Sequence, residues 1–246
     1  MFPATFSSDH RSRTVQKLRA RLSRFQRGLR LETRARRTVS TGIATLDDML
    51  PDQGLPRSTL SEWIAAERGS GVAMLALRAG GQAQREGPLI VVDSERTFYA
   101  PAFRAAGVRI DETILVRPES RNEALWAVEQ SLRCSGVGAV LCRVDRLRTQ
   151  EFRRLQLAAE AGTAIGILIR PAAARRQPGW ADVRLLVTPV PSGSQSFFRR
   201  MEVRCIYAKG GFTDRSIQLD VSDETGVVCL AAAVSDSATA LRTAWA

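Results

Sequence analysis

The sequence of 246 residues has few of the residue types that build metal centres. It contains one histidine, His10, and four scattered cysteines, none of which forms a CxxC pair: Cys134, Cys142, Cys205 and Cys229. A zinc site requires about four nitrogen or sulfur ligands at close, recognisable spacing. The sequence therefore predicts no metal site, and we expect the cysteines to be small buried apolar side chains.

Long apolar runs and aromatic residues are also scarce. The chain has no stretch of about 18 apolar residues, the length that a membrane-spanning helix needs. Residues 1–13 lack the apolar segment and the small-residue cleavage site of a secretory signal. We therefore expect a cytoplasmic protein without membrane contact. Aromatic residues are only 6% of the chain and hydrophobic residues 44%, which predicts a core of Val, Leu, Ile and Ala in one large domain.

Acidic residues are nearly missing from one segment of an otherwise balanced chain. The whole chain has 36 Lys and Arg against 25 Asp and Glu, a net charge of +11. Within residues 11–37, Glu32 is the only acid beside eleven basic residues, and outside this window 25 basic and 24 acidic residues remain. The basic residues of the window are Arg11, Arg13, Lys17, Arg19, Arg21, Arg24, Arg27, Arg30, Arg34, Arg36 and Arg37. This asymmetry predicts that an anionic partner binds the N-terminal arm.

The same arm carries one narrow apolar stripe. Apolar residues recur at spacings of three, four, three and four, which is typical of an amphipathic helix. The stripe consists of Val15, Leu18, Leu22, Phe25 and Leu29. Three interpretations remain open: the stripe docks on a partner subunit, the arginines bind DNA phosphates, or the arm is a solvated segment. We predict an arm over residues 1–38, a core over residues 39–230 and a weakly patterned tail over residues 231–246.

The core begins with alternating strands and helices. Apolar runs at residues 58–64, 89–92, 114–116, 137–144 and 164–169 predict strands, and helical patterns separate them at residues 72–85, 101–106, 121–134 and 149–161. Such alternation is typical of βαβ units in a parallel sheet that helices cover on both faces. Trp63 and Trp126 lie on these elements, and we expect both to be buried.

After Pro171 the pattern changes to strands separated by turn residues. Residues 183–187, 201–208, 216–221 and 226–230 read as strands, with Gly210-Gly211 and the turn at residues 223–226 between them. We expect them to extend one edge of the sheet as antiparallel strands. The predicted fold class is thus α/β, with a mostly parallel central sheet, antiparallel C-terminal strands and an N-terminal basic helix.

The order of these elements and several local strings resemble the RecA family of P-loop ATPases. Ser40-Thr41-Gly42 and Leu46-Asp47 are similar to the start of that family's ATPase core, and Gly54-Leu55-Pro56 and Glu62 precede the place of its phosphate loop. Asp93-Ser94-Glu95 resembles the position of the catalytic glutamate, and Asp145 that of the Walker B aspartate. The resemblance covers residues 40–220 and implies a RecA-like core.

The phosphate loop departs from the family's pattern. A working loop reads GxxxxGK[ST], in which the lysine neutralises phosphates and the hydroxyl binds Mg²⁺. Here residues 65–73 read AAERGSGVA, so that Val72 replaces the lysine and Ala73 the hydroxyl. We therefore predict a vestigial nucleotide site, no cofactor and no enzymatic activity. The site would comprise Gly69, Ser70, Gly71, Val72, Ala73, Glu95 and Asp145. An ATPase in which Arg68 or a neighbouring subunit replaces the lysine is the alternative.

A degenerate RecA-like core behind a basic arm resembles the ImuA family. The strings at residues 198–204 and 215–220 are similar to that family's C-terminal strands. The resemblance implies an accessory role in DNA repair, in SOS-type translesion DNA synthesis after DNA damage. It implies an ImuB-like pseudo-polymerase, an error-prone DNA polymerase and RecA itself as partners. A cell-division inhibitor of the SulA type is a further alternative, although such a protein has no evident need of eleven cations.

A second candidate for DNA contact follows the strand at residues 164–169. Arg175 and Arg176 lie in this connection with Trp180 nearby, and arginine beside an aromatic ring suits single-strand binding by charge and stacking. The turn string Gln177-Pro178-Gly179 favours a simple structural connection instead. Glu95 and Asp145 likewise have two interpretations, as remnants of catalysis or as structural carboxylates.

Overall fold

The computed structural model describes residues 38–97, 99–191, 198–210, 214–222 and 228–230. The predicted tail, and the predicted arm except Thr38, lie outside these residues, so both remain predictions. From Val39 onward the described residues belong to one compact unit.

The first part of this unit alternates strands and helices, as the sequence pattern predicts. Its strands are β1 (Thr38–Val39), β2 (Leu55–Pro56), β3 (Leu60–Ala65), β4 (Leu89–Val92), β5 (Thr113–Val116), β6 (Ala139–Arg143) and β7 (Ile165–Arg170). Its helices are α1 (Ala44–Asp47), α2 (Val72–Gln82), α3 (Ala100–Ala105), α4 (Arg121–Arg133) and α5 (Thr149–Ala161). Short 3-10 turns cover Pro51–Gln53, Ala83–Arg85 and Ala172–Arg176. The strands that follow are β8 (Val183–Val190), β9 (Phe198–Ala208), β10 (Arg215–Ser222) and β11 (Val228–Leu230).

Nine of the described strands form one sheet, in the order β11-β10-β9-β8-β3-β7-β6-β4-β5. The strands from β8 to β5 run parallel to their neighbours, and β9, β10 and β11 add in antiparallel fashion. The predicted α/β class with antiparallel C-terminal strands is confirmed. One strand differs from the prediction: β8 was expected to be antiparallel but is parallel to β3. The connection at residues 171–182 must therefore cross from the carboxyl end of β7 to the amino end of β8 over one face of the sheet.

Helices cover both faces of the sheet, and the sheet lies between two hydrophobic clusters. Helix α2 packs Leu75, Ala76 and Ala79 into the cluster on one face. Helices α4 and α5 form the cluster on the other face with Val128, Leu132, Phe152, Leu155 and Ala159. Val, Leu, Ile and Ala dominate both clusters, which agrees with the low aromatic content.

The two tryptophans expected in the core have different positions. Trp63 of β3 is fully buried, and its indole N–H donates to Ser61 Oγ at 3.0 Å. Trp126 of α4 is 62% exposed, so the expectation of burial is wrong at this residue. The reason is helical phase: Ala124 and Val128 face the sheet, and a residue two positions from each points to the opposite side.

Local hydrogen bonds explain where two elements begin. Helix α4 starts after Ser120, whose side chain accepts from Glu123 N at 3.2 Å while Glu123 accepts from Glu119 N at 2.9 Å. The turn before α1 is fixed by Asp47, whose carboxylate accepts from Thr41 N at 2.8 Å and from Ser40 Oγ at 2.5 Å. The family-like string at residues 40–47 thus has a structural role of its own.

Three of the four cysteine side chains are described, and all three are free thiols. Cys142 and Cys205 are buried as expected, whereas Cys134 is exposed. Burial raises the pKa of the Cys142 thiol to about 12, with contributions from Asp93 and Glu95. Cys142 is therefore a protonated, unreactive packing group at neutral pH. Among the described residues, no helix has both the length and the apolar character to cross a bilayer.

Candidate functional site

A cleft opens at the carboxyl edge of the parallel strands. Because β3, β4, β6 and β7 run in the same direction, the loops that follow them meet at one edge of the sheet. Residues from these four loops line a cavity of about 1490 Å³. The vestigial site residues predicted from the sequence all lie on its wall: Gly69, Ser70, Gly71, Val72, Ala73, Glu95 and Asp145. The structure thus brings together residues that are up to 76 positions apart in sequence.

The loop between β3 and α2 has a glycine-dependent conformation. Gly69 and Gly71 adopt φ angles of +77° and +80°, in the left-handed region that disfavours residues with a Cβ atom. Gly71 directly precedes α2, whose first turn has no side-chain cap. A Cβ atom on Gly71 would also lie 2.5 Å from Met201 Cε of β9, so the end of the Met201 side chain would have to move.

The side chains at the start of α2 are apolar and pack against the core at the cleft wall. Val72 is 4% exposed and belongs to the hydrophobic cluster beneath α2. Ala73 is partly buried and packs against the same cluster. Arg68, the residue considered as a substitute for the missing lysine, is exposed on the cleft wall. Ser70 is 2% exposed, and its Oγ has no hydrogen-bond partner among the described residues.

The two candidate acidic residues have different settings. Glu95 lies after β4, and its carboxylate is 3.8 Å from Arg143 Nε. Strand β6 ends at Arg143, two residues before Asp145, which is exposed at the cleft wall. Asp93, two residues before Glu95, is buried and accepts from Thr97 N at 2.9 Å. Within the described residues, no three His, Cys, Asp or Glu side chains cluster closely enough to hold a metal ion.

Arginines outnumber carboxylates on the cleft wall, which the sequence analysis did not foresee. The lining contains three carboxylates, Glu67, Glu95 and Asp145, against six arginines. The arginines are Arg68, Arg121, Arg143, Arg146, Arg148 and Arg199. The cleft therefore carries a net positive charge and favours anions.

Glu151 accepts hydrogen bonds from two residues of this arginine-rich wall, Arg121 and Arg148. Its carboxylate accepts from Arg121 Nη1 at 2.7 Å and Nη2 at 2.6 Å, and from Arg148 N at 2.8 Å at the start of α5. The hydrogen bonds from Arg121 lower the pKa of Glu151 to about 2, with a further contribution from Arg148 N. Arg121 Nη2 also donates to the Arg146 carbonyl at 2.8 Å. These bonds fix the loop between β6 and α5.

The second candidate region flanks the cleft. Ala172, Ala173 and Gln177 of the connection at residues 171–182 line the cavity. Arg175 and Arg176 of the same connection are exposed, and no ion pair is seen for either of them among the described residues. Trp180 is 48% exposed, and the Arg153 guanidinium of α5 lies over its ring at 5.8 Å from the centroid.

A buried ionic cluster lies beneath this connection, and the sequence analysis did not assign it. Glu62 of β3 accepts from Arg170 Nη1 and from Arg184 Nε, both at 2.6 Å. The only sequence signal was the presence of charged residues inside otherwise apolar strands. Such residues require partners when buried, but the partners are 108 and 122 positions away from Glu62.

The predicted arm sites lie outside the described residues. This holds for the apolar stripe of Val15, Leu18, Leu22, Phe25 and Leu29. It also holds for the basic positions Arg19, Arg21, Arg24, Arg27, Arg30, Arg34, Arg36 and Arg37. Their roles remain predictions.

Comparison with known proteins relates the chain to one family. The family described as the RecA N-terminal domain matches residues 21–149. Protein RecA of Chlorobium limicola is 38% identical over 105 residues, which are 42% of this chain and 30% of that relative. Protein RecA of Rhodopirellula baltica is 31% identical over 104 residues, 42% of this chain and 28% of the relative. The match therefore spans less than a third of the length of these relatives.

Proposed function

The chain belongs to the RecA N-terminal domain family, and on that premise we propose that it is a non-catalytic RecA-like accessory protein of mutagenic translesion DNA synthesis. In this role it binds DNA and other repair proteins and does not hydrolyse ATP. Its partners are an ImuB-like pseudo-polymerase, an error-prone DNA polymerase and RecA.

The observation that carries the proposal is the burial of Val72 at the lysine position. The side chain is part of the hydrophobic cluster, so the loop presents no ammonium group to a phosphate. Ala73 offers no hydroxyl for Mg²⁺. A charge-assisted contact to a developing phosphoryl charge contributes about 3 kcal/mol or more. A loop that has glycines with positive φ but lacks these side chains favours a scaffold over a catalyst.

Cleft charge also supports a role without a metal-bound nucleotide. Strand β6 ends at Arg143, which lies near Glu95 and adds positive charge at the bottom of the cleft. A metal-dependent site needs carboxylate or hydroxyl oxygens around the ion. The wall has twice as many arginines as carboxylates, so its net charge does not favour a divalent cation.

The translesion role rests on the resemblance to the ImuA family. The two strings that carry this resemblance occupy β9 and β10, which pair with each other along eight residues. In β9 and β10, Arg200 and Asp220 form a bidentate ion pair, with bonds of 2.7 and 2.8 Å. These strands extend the sheet next to β8, so the family-like strings build one continuous part of the core.

Co-expression tests the proposed partners. The tagged full chain is produced together with an ImuB-like protein and an error-prone polymerase from the same cell, and the complex is purified in the presence of nuclease. We expect both proteins to remain bound through size-exclusion chromatography, because protein contacts survive the removal of DNA. Loss of both proteins contradicts the proposal, and arrest of cell division on overproduction would then favour the SulA-type alternative.

A further inference from the structure

Three charged side chains meet in the interior, on the neighbouring strands β7, β3 and β8. The Glu62 carboxylate bridges Arg170 and Arg184, with one oxygen for each guanidinium. The side chains of Glu62 and Arg170 are both only 2% exposed. Burial lowers the pKa of Arg170, and the negative charge of Glu62 partly offsets this decrease. Buried charges of this kind persist only when each has good partners.

The same cluster contacts the connection at residues 171–182 at three positions, two of them through hydrogen bonds. Arg170 Nη2 donates to Gln177 Oε1 at 2.9 Å, and Arg184 Nη2 donates to the Ala174 carbonyl at 2.7 Å. Gly179 lies so close to the cluster that a Cβ atom there would be 2.8 Å from Glu62 Oε2. All three contacts come from the protein itself, so the connection is held without a bound ligand.

The held connection presents a surface with a definite chemistry. Ala174 is buried, whereas Arg175 and Arg176 directly after it are exposed. Trp180 offers ring surface to solvent while the Arg153 guanidinium lies over the ring. Two exposed guanidinium groups and a half-exposed aromatic ring on one connection fit phosphates and unpaired bases, because bases stack on aromatic rings and duplex DNA hides its base faces. The fitting partner is single-stranded DNA.

We propose that Glu62 is a positioning residue that fixes this connection, through Arg170 and Arg184, so that Arg175, Arg176 and Trp180 form a preordered contact surface for single-stranded DNA. The inference rests on the DNA contact in the proposed function and adds the buried interactions that order the contacting segment. A surface ordered before binding loses less conformational entropy when DNA binds.

The test measures the binding of the full chain to a fluorescent oligo-dT strand over a series of salt concentrations. The double variant Arg175→Ala/Arg176→Ala is expected to lower the slope of log affinity against log salt by about 1.4, since each lost single-strand phosphate contact contributes about 0.7. Gly179→Ala is expected to weaken binding about three- to tenfold and to lower the slope in the same direction, because it displaces Glu62 without changing any charge. Gln177→Ala removes one contact without adding an atom to the interior and is expected to have a smaller effect of the same sign.

Controls separate positioning from folding. Gly136→Ala is the matched glycine variant, because a Cβ atom there meets nothing within 4 Å. We expect it to bind DNA like the wild type. Hydrogen exchange of residues 171–182 should be faster in Gly179→Ala and Gln177→Ala and unchanged in Gly136→Ala.

Two outcomes overturn different claims. If the double arginine variant loses affinity and slope while Gly179→Ala and Gln177→Ala bind like the wild type, the positioning role of Glu62 is wrong and the DNA contact stands. If the double arginine variant binds with unchanged affinity and slope, the DNA contact at this connection is itself wrong.

Discussion

Deletion of residues 1–38 is expected to lower the affinity for DNA by about a hundredfold or more at 50–100 mM salt. The reason is the distribution of charge: eleven of the 36 basic residues lie within residues 11–37 beside a single acid, and the remainder of the chain is nearly neutral. If roughly half of these cations contact phosphates, the salt slope for duplex DNA falls by about 5, at about 0.9 for each contact. Titration of wild-type and shortened chains over a salt series measures both quantities.

Two full-length variants distinguish the interpretations of the arm. Replacing its arginines with glutamine keeps the apolar stripe and should reproduce the loss of DNA affinity. Replacing Leu18, Leu22 and Phe25 with alanine keeps every charge and should leave DNA affinity unchanged, whereas it should weaken a partner complex if the stripe docks on a partner. Survival of affinity and slope in the shortened chain would refute the arm prediction and make the connection at residues 171–182 the main DNA contact.

Glu62→Gln is expected to destabilise the fold by about 3–5 kcal/mol, the usual effect of removing one partner from a buried ionic cluster. The substitution leaves Arg170 and Arg184 facing each other beneath the connection with no carboxylate between them. Arg170→Met should have a smaller effect, about 1–2 kcal/mol, because it leaves a neutral pair of Glu62 and Arg184 and removes the cation that burial already disfavours. Urea unfolding monitored by circular dichroism gives the free energy of unfolding of each variant.

An exposed ion pair provides the control for this comparison. Glu112→Gln removes the partner of Arg109, and both side chains of this pair are more than a third exposed; such pairs contribute about 0–1 kcal/mol. The buried cluster predicts the order Glu62→Gln, Arg170→Met, Glu112→Gln from the largest to the smallest loss of stability. A Glu62→Gln variant as stable as Glu112→Gln would show that the cluster does not hold the core together.

Much of the fold follows from local patterns in the sequence. The helical spacing of Ala124, Val128 and Leu132 predicts α4 and the face that it buries, and the alternation of short apolar runs with such helices predicts the parallel sheet. The parallel direction of β8 was not predictable in this way. Strand direction there depends on the crossing of the connection at residues 171–182, which lacks the usual α-helical pattern of a crossover and contains only a 3-10 turn.

The candidate site was only partly predictable for a related reason. The loop at residues 65–73 is recognisable because its glycines and its missing lysine are contiguous. The basic wall is not, because Arg121 starts α4, Arg143 ends β6 and Arg148 precedes α5. That these residues lie close together can be inferred only when the order of strands in the sheet is known. Sequence spacing carries no direct information on that order.

We infer that the loop after β3 does not support ATP hydrolysis, and a turnover assay on the pure full chain tests this claim. The protein is incubated with ATP and Mg²⁺, with and without single-stranded DNA, and phosphate release is followed beside calorimetric titration with ATP. We expect no release above the blank and no binding heat that depends on Mg²⁺, because the buried Val72 supplies no ammonium group and Ala73 supplies no hydroxyl for the ion. Turnover by the wild type that disappears in Gly71→Ala or Arg68→Ala would contradict the claim.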